Sequence, residues 1–299
     1  MQYGILKNQA QQQRQDITVK SEAFRVAIVT GGGRGLGLAM VLGLLRHDVA
    51  VAAVDRDAAP LEEVSAIAHQ DDHAATLLTI TADLTLPGAA EKVGAQVLAR
   101  FGRMDILVNN AGMGMSVLWQ DRWVRPVRFW EVEPDQWRLF FRTNTDTQFL
   151  MSRMAVPHMM RQGWGRIVNV TTSLGTMLRS GHAPYGPSKA AAEAMTSIMA
   201  EELEKTGITV NVLTPGGLTN TSANQEAPFD RAKMLQPAIM VPPLLWLISD
   251  AASNVTSRRF VAVRWDPSLP PGEAAAVAGA PVGWPTTGNE PVNPVASAP

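Results

Sequence analysis

"RVAIVTGGGRGLGLAMVLGLLRH", residues 25–47, changes character twice. "VAIVT" is a short β-branched apolar run that ends in glycines, which reads as a buried strand. After the glycines, apolar residues recur at helical spacing. A strand that turns sharply into a helix is half of a βαβ unit, and the rest of the chain repeats the rhythm. "VAVAAV" (49–54), "TLLTI" (76–80), "DILVNN" (105–110), "RIVNVT" (166–171) and "ITVNVL" (208–213) read as further buried strands. Stretches such as "EKVGAQVLARFG" lie between them. This alternation implies an α/β fold, a doubly wound parallel sheet covered by helices on both faces. Ligands in such sheets bind beyond the C-terminal strand ends.

The turn after the first strand suits a phosphate. Gly31, Gly35 and Gly37 permit a tight turn, close backbone approach to a pyrophosphate and packing of helix on strand. The helix N-terminus adds unpaired N–H groups and the positive end of its dipole. The second strand ends at Asp55, where a carboxylate can accept hydrogen bonds from an adenosine ribose. That carboxylate would repel a 2′-phosphate and so favours NAD. Arg34 and Arg56 argue for NADP, because a guanidinium pairs well with that phosphate.

Composition narrows the field. Of 299 residues, 46% are hydrophobic and 18% charged, with a net charge of −1, which is ordinary for a globular protein. Without a basic stripe interleaved with aromatics, a nucleic-acid partner is not expected. The absence of cysteine excludes disulfides and thiolate metal sites and suits the cytoplasm. No apolar run approaches the ~18 residues of a membrane span, so no membrane role is expected. His182 has no second ligand at metal spacing and reads as a cap or pocket-lining residue, so no metal is expected. Residues 1–23 read as a loose Gln-rich tail, 24–265 as the folded domain, and 266–299 as a Pro/Ala-rich arm, extended rather than helical.

Several short motifs then fall in one order: "TGGGRGLG" (30–37), "NNAG" (109–112), Asn144, "YGPSK" (185–189) and "PG" (215–216). Together they resemble the short-chain dehydrogenase/reductase family, over roughly residues 24–262. The resemblance implies a Rossmann-type sheet of about seven strands. It also implies a nicotinamide cofactor, a secondary alcohol or carbonyl substrate, and a homo-tetramer or homo-dimer. By position, Gly31, Arg34, Gly35, Leu36, Gly37, Asp55, Arg56, Asp83, Leu84, Asn110, Ala111, Gly112, Pro215 and Gly216 would hold the cofactor, together with Tyr185 and Lys189. Asn109 would brace the sheet. Tyr185, Lys189, Asn144 and a hydroxyl at Thr172 or Ser173 would be catalytic, with Asn144 holding a water in a proton relay.

The Tyr185–Lys189 pair suits acid/base chemistry. Pro184 and Pro187 are tolerated only in a first turn, so a helix should begin here and bring residues four apart onto one face. Free tyrosine titrates near 10, and lowering it by ~3 units takes roughly 4 kcal/mol. One ammonium ~4 Å away, at an effective dielectric of ~20, supplies about that much. An NAD(P)-dependent oxidoreductase is therefore expected. The alternative is a non-catalytic regulator that senses a dinucleotide on the same fold.

Three stretches depart from the family. The usual serine thirteen residues before the tyrosine is Thr172 here, with Ser173 beside it. Strand alternation would turn the two hydroxyls apart, which favours Thr172. Residues 113–137 form a longer, Trp- and Arg-rich segment, either a substrate wall or a subunit contact. "RRFVAVRWD" replaces the glycine-rich close of the last strand.

Overall fold

In a computed structural model describing residues 24–284, β1 (Val26–Thr30) is buried along its whole length. Its side chains alternate between two cores, as the pleat requires. Ala27 and Val29 pack with Met40 and Leu44 of α1 (Gly35–Leu45) and Leu244 and Leu247 of α8 (Val241–Leu247). Val26 and Ile28 pack on the other face with Val93 and Val97 of α3 (Ala89–Phe101) and Met151 and Ala155 of α5 (Thr147–Gln162). A strand buried on both faces has no polar face to show, which is why "VAIVT" reads as an unbroken apolar run.

The other expected strands form within about a residue of the sequence reading. They are β2 (Ala50–Asp55), β3 (Leu77–Thr81), β4 (Ile106–Asn109), β5 (Gly165–Val170) and β6 (Ile208–Thr214). With β7 (Arg258–Val261) and β8 (Gly279–Pro281) they make an eight-stranded sheet in the order β3-β2-β1-β4-β5-β6-β7-β8. Every pairing is parallel except β7 with β8. The strand order reverses at β1, whose neighbours are β2 and β4. The crevice of a doubly wound sheet opens there.

The C-terminal segment differs from the sequence expectation. Residues 266–284 are not an extended arm: α9 (Pro271–Ala278) leads into β8, which pairs antiparallel with β7. Proline does not prevent this helix, because Pro270 is its N-cap and Pro271 its first residue. The alanine run that follows has high helix propensity, and Ala274, Ala275 and Ala278 are buried. The eighth strand also exceeds the expected seven. The expected tail at 1–23 and the end of the arm from 285 lie outside the described residues.

Candidate active site

Four turns meet above the C-terminal ends of β1, β4, β5 and β6. The first carries Gly31, Arg34, Gly35, Leu36 and Gly37 from β1 into α1. Gly31 has φ +63, and a Cβ at Gly37 would stand 1.9 Å from the Gly31 carbonyl oxygen, so neither position accepts a side chain. The Thr30 hydroxyl accepts the backbone N–H of Asn110 (3.0 Å) and of Ala111 (2.9 Å). Asn110 Nδ2 returns donors to the carbonyls of Thr30 (2.9 Å) and Gly31 (3.0 Å). The turn is thus clamped to the end of β4. Asn109 below it donates to Ser152 and Asn169, joining β4 to α5 and β5.

At the end of β2, Asp55 Oδ2 accepts the Gly33 N–H (3.1 Å) and Oδ1 the Asp57 N–H (3.2 Å). Arg34 is ion-paired to Asp57 and lies 4.0 Å from Asp55, while Arg56 Nε is 3.7 Å from Asp57. Arg34 is therefore held by Asp57, a residue not singled out in the sequence, while Arg56 is 71% exposed. Asp83 accepts from the Thr85 side chain (2.7 Å) and backbone (2.9 Å), which hold its carboxyl below the ordinary value. Leu84 beside it is buried. Gly216 follows β6 with φ +90, and the Pro215 carbonyl accepts the Val263 N–H (3.1 Å).

The expected catalytic residues converge. α7 (Tyr185–Glu202) begins at the tyrosine, and Lys189 follows one turn later. A side chain at Gly112 would meet Asn144 Oδ1 at 2.9 Å and Lys189 Nζ at 3.1 Å, so these three positions adjoin. Asn144 is buried in a π-turn (Arg142–Asp146) that precedes α5. Its Oδ1 accepts the Met113 N–H (2.8 Å), and its Nδ2 donates to the Met113 carbonyl (3.1 Å) and Ser188 Oγ (3.0 Å). Ser188 in turn donates to the Tyr185 carbonyl (2.8 Å). π-turns cluster at functional sites, and this one presents Asn144 to the start of α7.

The two candidate hydroxyls separate cleanly. The Thr172 side chain lies close enough to the Tyr185 phenol to favour its charged form. Ser173 is the N-cap of α6 (Leu174–Met177), where its Oγ accepts the Thr176 N–H (3.1 Å). The alternation argument does not reach this pair, because β5 ends at Val170. What separates them is the cap.

The electrostatics correct one expectation. Burial pushes the Tyr185 phenol above its ordinary value, and the Thr172 side chain and the Arg122 charge oppose it only in part. Burial also pushes Lys189 down to about 8, with its Nζ donating to the Val170 carbonyl (2.9 Å). Desolvation drives both groups toward their uncharged forms, so in this arrangement the Tyr185 phenol is raised and not drawn down toward neutral pH. His182 is lowered by burial and then by Arg179 and Arg122, with a partial opposing hydrogen bond to Ser180.

Sequence reasoning missed a buried brace beneath Thr172. Arg259 of β7 pairs with Glu193 of α7 (2.9 Å) and donates to the Thr172 carbonyl (2.7 Å). Glu193 also accepts the Thr171 hydroxyl (2.8 Å) and the Gly283 N–H (3.2 Å), which ties in the C-terminal segment. The signal was present: Glu193 lies four residues after Lys189 on the same helix face, and a buried carboxylate needs a partner. Among the described residues no group of three or more His, Cys, Asp or Glu could hold a metal, and no helix is long and apolar enough to cross a membrane.

The chain belongs to the short-chain dehydrogenase family, whose model matches residues 25–231. It is an oxidoreductase of that family. It is 29% identical to the 3-oxoacyl-[acyl-carrier-protein] reductase of Salmonella typhimurium, over 78% of this chain and 93% of that one. Among solved structures it resembles a Brucella melitensis 3-ketoacyl-(acyl-carrier-protein) reductase complexed with NADH. That match has a TM-score of 0.67 and 28% identity, covering 78% of this chain and 93% of that one. It also resembles a putative NAD(P)-dependent gluconate 5-dehydrogenase from Beutenbergia cavernae with bound NADP. Here the TM-score is 0.70 and the identity 30%, with 81% and 96% of the two chains covered.

Proposed function

We propose that this protein interconverts a secondary alcohol and its carbonyl with a nicotinamide cofactor, NAD in preference to NADP. The observation that carries this reading is the convergence of Asn144 and Lys189 at Gly112, one helical turn from Tyr185, whose phenol also feels the Thr172 side chain. The residues fit a dinucleotide: positions 31 and 37 leave no room for a Cβ, so backbone N–H groups at the start of α1 stay open to a pyrophosphate.

In this reading the turn from Gly31 to Gly37 holds the pyrophosphate and Asp55 the adenosine ribose. Asp83, Leu84, Asn110, Ala111, Gly112, Pro215 and Gly216 line the remainder. A nicotinamide cofactor held there would supply the hydride donor or acceptor for the substrate carbon. Tyr185 takes the hydroxyl proton during oxidation and returns it to the carbonyl oxygen during reduction. Thr172 donates a hydrogen bond to that oxygen as charge develops on it. Lys189 and Asn144 hold the start of α7 and the Tyr185 backbone in register. Arg34 is paired with Asp57, so a 2′-phosphate would meet Asp55 without the Arg34 guanidinium free beside it, which supports NAD. A cytoplasmic homo-oligomer belongs to the same reading and rests on the sequence resemblance.

The test is the appearance of reduced nicotinamide, followed by its near-ultraviolet absorbance, with NAD or NADP and a panel of secondary alcohols. Turnover with a higher kcat/KM for NAD is expected. No turnover with any alcohol, or faster turnover with NADP, overturns the corresponding half of the reading.

A further inference from the structure

In the segment 113–137, which departs from the family pattern, most charged side chains face solvent: Asp121, Arg125, Arg128 and Glu131 are exposed. Arg122 is not. It sits at a seam where this segment meets the loop after β6. Ser116 Oγ donates to the Ala223 carbonyl (2.7 Å), the Trp123 and Phe229 rings meet edge to face (5.5 Å), and Arg122 Nη2 donates to Asn224 Oδ1 (3.1 Å). The seam stands beside Tyr185, which packs on a cluster of Met115 and Val127 from the same segment and Phe140 just after it.

Arg122 is under-satisfied there. Its Nε is buried and has no hydrogen-bond partner, and its guanidinium lies 4.5 Å from the Trp123 ring centroid. It is in none of the ion pairs among the described residues, and the Glu226 carboxylate acts on it only at longer range. Its charge reaches both Tyr185 and His182. His182 is pushed toward its neutral form, so it does not share this role with Arg122. A guanidinium that has lost water and gained no anion is a costly arrangement, and a carboxylate is its matching partner. A single uncompensated charge suits a monoanion better than a phosphate dianion.

We propose that Arg122 recognises a carboxylate on the substrate, so that the enzyme acts on short hydroxy acids and keto acids rather than neutral alcohols. The proposal deepens the assignment of Tyr185 above and rests on it. The carboxylate pairs with the Arg122 guanidinium, while the carbinol carbon stands at Tyr185 and Thr172. Orientation comes from the two ends of the substrate together.

The test uses a series of short-chain hydroxy acids and the methyl ester of each, with NAD present. Wild-type protein should favour each acid over its ester in kcat/KM, and Arg122→Met should collapse that acid-to-ester ratio by about 100-fold. Arg122→Lys should fall between, because it keeps charge but not the guanidinium. Calorimetric binding of the acids should survive in Tyr185→Phe and vanish in Tyr185→Phe/Arg122→Met. An unchanged ratio in Arg122→Met, or acids that bind the double variant as they bind Tyr185→Phe or bind neither, overturns the proposal. Full turnover by Tyr185→Phe would instead overturn the assignment of the proton donor, and the binding arm would still report on Arg122.

Discussion

On one side of the cleft, Asn110 and Thr30 lock the glycine turn to β4 through four hydrogen bonds, each with a backbone atom of the turn or a strand end as donor or acceptor. On the other side, the segment 113–132 and the loop after β6 meet through single side-chain contacts, and Phe129 and Trp130 remain 73% and 70% exposed. The first wall is backbone held by a sheet, and its shape follows from where side chains are forbidden. The second is side chains held by one another, and its shape depends on which of them happen to meet. A common fold can thus keep its glycine-turn wall while the facing wall varies.

Substitutions on the two walls should therefore fail differently. The largest effect is expected at their junction. Tyr185→Phe should lower kcat by at least about 100-fold while cofactor affinity, read by fluorescence titration, stays within about threefold, since only the phenolic proton is lost. A matching loss of cofactor affinity would mean that the walls are not separable there. Thr172→Val should cost ~10²–10³ in kcat, the value of a donor aimed at developing charge in a dry site, and Thr172→Ser should retain most activity. If Thr172→Val were near wild type, the oxygen would be held from the loop side instead.

Lys189→Met separates activity from stability. Burial holds Lys189 at about 8 against an ordinary 10.5. Below the lower value both folded and unfolded chains carry the charge, and the folded state bears its desolvation in full. As pH rises from there to the ordinary value the folded lysine gives up its proton first, and the penalty fades. Lys189→Met should therefore raise stability near neutral pH by about 1–2 kcal/mol in urea unfolding, after allowing for the lost bond to the Val170 carbonyl. The gain should shrink in alkaline buffer while turnover stays impaired. The smallest effect is Ser173→Ala, with kcat near wild type and a loss of about 1 kcal/mol or less from the α6 cap, read in the same unfolding experiment.

Six strands, the glycine turn and the start of α7 were legible because local rules govern them: period, glycine placement and proline at a first turn. Thr172 was preferred to Ser173 on strand alternation, whereas the structure tells the two apart by the helix cap at Ser173. The Glu193–Arg259 brace joins residues 66 apart, and a periodicity argument cannot pair them. Helix α9 was hidden by its prolines, whose tolerance at the first turn was recognised at Tyr185 and not applied at Pro271. Arg122 was invisible as an individual residue, because nothing in "QDRWVRP" tells which arginine turns inward.

The central claim is a direct hydride exchange at the substrate carbon, with Tyr185 moving the proton. Reduction of a keto acid with NADH deuterated at the transferable position, followed by mass spectrometry of the product, tests it most directly. The expected result is one deuterium on the carbinol carbon with wild-type protein and no product with Tyr185→Phe. Product that forms without deuterium, or forms equally in Tyr185→Phe, would contradict it.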